Sequence, residues 1–161
     1  MMREEIKELV TEIIHRNVSV PCGLELPSTV FFQPSMKFIE WANEQDTTFI
    51  DCGAGMGQLA GVLDNVKCID INTREYADER VIPFNSVLYP FESNNSALFC
   101  RPNHNIWIKD TAIMALVRGA KVYYVGFEKN LENDLPDFEY NLILEFIGWE
   151  GENLWQITKN L

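Results

Sequence analysis

The chain has 161 residues, 47% of them hydrophobic, and carries a formal net charge of −11 at pH 7. That length suits a single domain with one buried core, read here as an N-terminal helix and irregular segment (1–33) leading into an α/β core (34–161). No apolar run reaches the roughly 18 residues of a membrane span, no secretory leader is legible at the N-terminus, and the acidic total disfavours stand-alone binding to a nucleic-acid backbone.

In chain order, Ile6, Leu9, Val10, Ile13 and Ile14 recur at helical spacing and predict an amphipathic helix over 2–16. Its apolar face is a candidate for packing at the domain edge, for a dimer contact or for a lid over a ligand site. Pro21, Gly23, Pro27 and Pro34 interrupt any regular element over 18–33. A second helix follows over 35–45, with Ser35 as its N-cap and Phe38, Ile39 and Ala42 facing inward. Strands and helices then alternate. Strands are expected at 48–52, 67–70, 81–84, 97–100 and 121–125, with a short helix at 58–63 and a longer one at 109–118 that Gly119 stops. The charged stretch 73–80 reads as a turn. Residues 142–146 and 153–158 read as two strands joined by a glycine-containing loop, a closing antiparallel hairpin.

This alternation predicts an α/β fold, a doubly wound, mostly parallel sheet with helices on both faces and a C-terminal antiparallel hairpin. Right-handed crossovers bring the C-terminal ends of the parallel strands to one rim, where a ligand binds at the reversal of strand order. The four cysteines, Cys22, Cys52, Cys68 and Cys100, show no CxxC spacing and read as reduced thiols of a cytoplasmic protein. No metal-ligand spacing, P-loop or G-x-S-x-G turn is present in the sequence.

The chemistry concentrates at Asp51-Cys52-Gly53-Ala54-Gly55-Met56-Gly57-Gln58. A strand ends in an acid, and three glycines follow at alternate positions, so bare backbone is offered to a ligand. A second apolar run ends in Asp70, seventeen residues past Gly53. Strand, glycine turn, helix and strand with a terminal acid make a nucleoside-binding half-unit. A dinucleotide fingerprint, G-x-G-x-x-G, needs its third glycine at position 58, which is Gln, and this argues against a nicotinamide-dependent oxidoreductase.

The pattern D-x-G-x-G-x-G resembles motif I of the class I S-adenosylmethionine-dependent methyltransferases, and the order of elements over 34–161 resembles that family too. The resemblance implies S-adenosylmethionine as cofactor over Gly53, Gly55 and Gly57, with Asp70 on the ribose hydroxyls. A carboxylate suits a diol because its two oxygens take both hydroxyl protons. Asp51 is a candidate for the cofactor's amino group or for the turn amides. Asn85 is a candidate for the adenine ring or for an Asx turn.

In that family the residues after the fourth core strand often serve the methyl acceptor, and enzymes acting on bases or glutamine carry Asn/Asp-Pro-Pro-Tyr/Phe there. This chain has Arg101-Pro102-Asn103-His104. Arginine has only donors and cannot accept from an amino group, so base or glutamine N-methylation is disfavoured. Arg101 is a candidate for binding an acidic substrate group or for a structural ion pair. His104 is a candidate general base or an ordinary loop histidine. The expectation is methyl transfer to an unidentified small-molecule or protein acceptor. The alternative is a non-catalytic cofactor-binding or structural protein that keeps the fold.

Overall fold

The computed structural model describes residues 3–30, 32–103 and 106–161. Seven strands form one sheet, in the spatial order Ile82–Pro83, Val66–Asp70, Thr48–Cys52, Asn95–Cys100, Lys121–Gly126, Asn153–Thr158 and Glu139–Leu144. These are β2 (Thr48–Cys52), β3 (Val66–Asp70), β5 (Ile82–Pro83), β6 (Asn95–Cys100), β7 (Lys121–Gly126), β8 (Glu139–Leu144) and β9 (Asn153–Thr158). The pairs β5/β3, β3/β2, β2/β6 and β6/β7 are parallel, and β9 runs antiparallel to both β7 and β8. The chain leaves the centre from β2 outward through β3 and β5, then returns to β6 beside β2. The reversal of order therefore lies between β2 and β6.

Both faces of the central strands are covered, which is why these segments read as unbroken apolar runs. Side chains alternate across the sheet. Ile50, Phe99 and Tyr124 enter one core with Ile13 of α1 (Glu4–Asn17) and Ile108 and Ala112 of α3 (Ile106–Val117). Phe49, Leu98 and Tyr123 enter the other with Phe38 and Ala42 of α2 (Met36–Glu44). Fully burying a side chain such as Phe49 stabilises by roughly 1.5–3 kcal/mol. Helix α3 has little amphipathic pattern because it is wrapped on most sides; even Asp110 and Thr111 on it are buried. Ser35 caps α2 through the Phe38 amide, and Gly119 ends α3 at φ +83°.

Five elements depart from the sequence expectations. Segment 18–33 is not wholly irregular, because β1 (Leu24–Leu26) pairs in parallel with β4 (Asn72–Arg74), itself expected as turn. These two strands bury no apolar face and are joined by backbone pairing, with the Arg74 guanidinium donating to the Pro27 carbonyl at 3.1 Å, so no hydrophobic alternation marks them. The short helix after the glycines is a 3-10 turn, Gln58–Gly61. Helix α4 (Glu128–Asp134) was not expected; Leu131 is its buried residue, too little to make a period. Strand β8 begins at Glu139 rather than at 142, and a register shift between Leu142 and Leu144 breaks its alternation.

The four cysteines are free thiols. Among the described residues, no helix is long and apolar enough to cross a membrane.

Candidate functional site

At the rim between β2 and β6 a cavity of about 330 Å³ opens. Gly53 and Gly55 arrive there from the end of β2, Asp70 from β3, Asn85 from the segment after β5, and Cys100, Arg101 and Pro102 from β6. Residues from four separate strands thus meet because parallel strands end on one side.

The glycine turn is built on positive φ, at +78° for Gly53, +59° for Gly55 and +79° for Gly57. The three do different work. A Cβ on Gly53 would press on the Trp107 ring at 3.1 Å, so this position lets backbone and indole close. A Cβ on Gly55 would meet nothing within 4 Å; it would stand in open space beside the cavity. A Cβ on Gly57 would collide with Val81 Cγ2 at 2.5 Å, and Gly57 does not line the cavity. The turn amides of Gly53 and Ala54 both donate to the Ile69 carbonyl, which fastens the turn to β3.

Asp70 sits at the centre of this arrangement. Its Oδ2 accepts from the Gly55 amide at 2.8 Å and its Oδ1 from the Asn72 amide at 2.9 Å. Each oxygen keeps a lone pair, so the carboxylate is oriented while still able to accept from two further donors. Asn85 lines the same cavity and caps the turn Ser86–Leu88, its Oδ1 accepting from the Val87 amide at 3.1 Å.

Asp51 lies behind the turn rather than on the main cavity. It borders a small pocket of about 30 Å³ together with Thr29, Phe32, Gly55 and Gln58. That volume matches one water molecule or the head of one small polar group. Asp51 is 3% exposed; among the described residues its Oδ1 has no hydrogen-bond partner and its Oδ2 has the Cys68 thiol at 3.9 Å. Burial, then the neighbouring Asp70 charge, push its carboxyl up to about 7 against the pull of the thiol. Burial and Asp51 in turn push the Cys68 thiol up to about 12, and burial raises Cys52 and Cys100 as well. None of the three offers a thiolate at neutral pH.

Arg101 lines the cavity with its backbone at φ +45°. Its guanidinium pairs with Glu150 at 2.5 Å, lies 3.7 Å from Glu152 and sits over the Phe127 ring at 5.5 Å. The β8–β9 loop therefore holds this side chain. Glu152 is fully buried, and Gly148 makes room for it, since a Cβ there would meet its Oε1. His104 lies outside the described residues.

Sequence reading missed the N-terminal share of the site. Asn17 and Val20 line the main cavity, and Thr29 and Phe32 line the small pocket. The strand pair β1/β4 runs directly after Asp70, with the Gly23 amide bonded to the Ile71 carbonyl at 2.7 Å. One signal was legible: Asn17 continues the stripe Ile6–Ile13 at helical spacing, so a wheel puts it on the buried face.

The last strand of the chain, β9, is inserted antiparallel between β7 and β8 at the edge of a parallel sheet that reverses at the glycine turn. The fold is class I methyltransferase-like. No protein-family model matches this chain, and no curated protein matches it in sequence. Solved structures of similar shape include a ribosomal protein L11 methylase from Lactobacillus delbrueckii subsp. bulgaricus, at 12% identity and TM-score 0.48, covering 100% of this chain and 81% of that one. A SAM-dependent methyltransferase from Aquifex aeolicus is similar at 12% identity and TM-score 0.46, covering 93% of this chain and 98% of its own. A magnesium protoporphyrin IX methyltransferase from Synechocystis PCC 6803, solved with bound SAM, is similar at 9% identity and TM-score 0.46, with 98% and 79% covered. On this methyltransferase-like frame the cavity stands where the sheet changes direction.

Proposed function

We propose that the protein binds S-adenosylmethionine in the rim cavity and transfers its methyl group to an acceptor that approaches over Arg101 and Pro102. The observation that carries the reading is the meeting of Asp70, the open face of Gly55 and Asn85 in one cavity with no phosphate-binding helix behind the glycines. A dinucleotide needs a helix N-terminus to receive its pyrophosphate. Here the glycine turn runs into a four-residue 3-10 turn instead. A nucleoside without phosphate makes no such demand.

The residues present fit that ligand. Asp70, held by two amides, has acceptor capacity left for a ribose diol. The Oδ1 of Asp51, unpartnered among the described residues, suits an ammonium group, as the methionine part of the cofactor carries. Asn85 and Ser86 line the end suited to the base. Bound there, the cofactor supplies an electrophilic methyl carbon on a sulfonium. The chain's own part is to orient, to exclude water and to hold the acceptor in line. Trp107 under Gly53 and the apolar wall of Ile106 and Val20 serve the exclusion of water.

The non-catalytic alternative has its own support. Arg101, the charged residue on the acceptor side, is engaged by Glu150 and Glu152 and supplies no base. Incubation with S-adenosylmethionine labelled in its methyl group, in the presence of a fractionated lysate, separates the two. Label entering a macromolecular or small-molecule fraction, and absent with Asp70→Ala, supports transfer. Tight cofactor binding with no label transferred to any fraction supports the binding protein.

A further inference from the structure

We infer that Asn17, in the last turn of the N-terminal helix, is a specificity-determining residue that reads the exocyclic amine of the cofactor's purine. The inference rests on the cofactor reading above and adds a residue and a discrimination to it. Asn17 lines the cavity although it belongs to α1, outside the glycine-turn half-unit, and it is 9% exposed.

Its amide orientation is fixed by its neighbours. Nδ2 donates to the Ile13 carbonyl at 2.8 Å and to Asp110 Oδ2 at 3.3 Å. Both partners are acceptors with no proton to give, so the nitrogen must face them and the oxygen must face away. Asp110 is held in its turn. It is 2% exposed and takes two bonds from Arg16, at 2.6 Å from Nη2 and 3.2 Å from Nε. A charge pair between α1 and α3 thus locks the flip of a neighbouring amide. Among the described residues, Asn17 Oδ1 has no hydrogen-bond partner, and the cavity is what Asn17 borders on its remaining side.

A locked acceptor on a cavity wall selects a donor. Asn17 bonds to Asp110, and the next residue of α3, Thr111, bonds through its hydroxyl to the Ser86 hydroxyl at 2.8 Å, which sets Asn17 beside the Asn85–Ser86 lining assigned to the base. Adenine carries its amine as a donor away from the sugar. The deaminated base, hypoxanthine, carries a carbonyl at that position. Acceptor against acceptor leaves both unpaired, and a site built to bond a donor discriminates against a ligand that lacks it.

The test compares S-adenosylhomocysteine with S-inosylhomocysteine by calorimetry on the full chain. The wild type is expected to bind the adenosyl compound at least about tenfold more tightly. Asn17→Ala and Asn17→Ser are expected to cut that ratio at least about fivefold, through weaker binding of the adenosyl compound alone. The serine variant keeps a donor for the Ile13 carbonyl, so the helix end is retained while the cavity acceptor is lost. Equal losses for both compounds, or an unchanged ratio in folded variants, would overturn the inference and leave the cofactor reading standing. No binding of either compound to the wild type would instead remove the cofactor reading, and this inference with it. If both variants fail to fold, the Asn17 side-chain amide signals of ¹⁵N-labelled wild type decide. They are expected to shift with the adenosyl compound and not with the inosyl one, and equal shifts would overturn the inference.

Discussion

At Asp51 a carboxyl group is buried with one oxygen unpartnered among the described residues, and the consequence is a stability that depends on pH. In the folded chain it keeps its proton up to about 7, against an ordinary carboxyl value of 3.8. Between those values the native state holds a proton that the unfolded state has released, so stability falls as pH rises through that window and stays reduced above it. The cost amounts to at most about 4 kcal/mol, at about 1.4 kcal/mol per unit. Asp51→Asn is therefore expected to raise the Tm of the free protein at pH 8 by several degrees and to leave it close to wild type near pH 5. The same substitution is expected to weaken S-adenosylhomocysteine binding, because a neutral amide replaces the partner of an ammonium group. Thermal melts at the two pH values check the first expectation and calorimetry the second. An acid ending the first core strand was legible in the sequence. Its isolation was not, because isolation depends on Cys68 and Asp70 arriving from β3.

Among the elements, the glycine turn and helix α1 give opposite kinds of test. Gly57→Ala places a methyl group on Val81 at a φ of +79° and is expected to cost stability by about 2 kcal/mol or more. Gly55→Ala meets no atom within 4 Å, so it is expected to cost only about 1 kcal/mol, for the left-handed backbone, while its methyl group intrudes on the ligand. Urea unfolding should rank Gly57→Ala as the more damaging to the fold. Cofactor binding at equal folded fraction should be weakened by Gly55→Ala. Helix α1 is anchored by Arg16 on the buried Asp110, and Arg16→Ala leaves that carboxylate short of its cation. A loss of about 2–3 kcal/mol is expected, below that of a fully buried pair because the Arg16 side chain is 41% exposed. Strands β2, β3, β6 and β7 were legible because burial on both faces leaves an unbroken apolar run. Strands β1 and β4 were not, since Leu24–Leu26 and Asn72–Arg74 are joined by backbone bonds that any residues make.

Over the whole molecule, the N-terminal segment is part of the structure that the core needs. Ile13 is fully buried in the main core cluster, Phe32 is buried in the second, and Asn17 and Val20 wall the cavity. Residues 34–161 alone are expected to unfold at lower urea concentration, with a less cooperative transition, and to bind S-adenosylhomocysteine at least about tenfold more weakly. The parallel centre and the antiparallel C-terminal end of the sheet followed from the sequence alternation. The closing of Val20, Thr29 and Phe32 on the site did not, because long-range backbone pairing leaves no local pattern; Asn17 carried a signal by continuing the buried stripe of α1. The central claim is that a nucleoside-bearing sulfonium cofactor sits on Asp70 beside the Gly53–Gly55 turn. Calorimetric titration of the full chain with S-adenosylmethionine and S-adenosylhomocysteine tests it most directly. Micromolar binding of both by the wild type, reduced at least about a hundredfold in a folded Asp70→Ala, is the expected result. Failure of the wild type to bind either compound, or undiminished binding by Asp70→Ala, would contradict it.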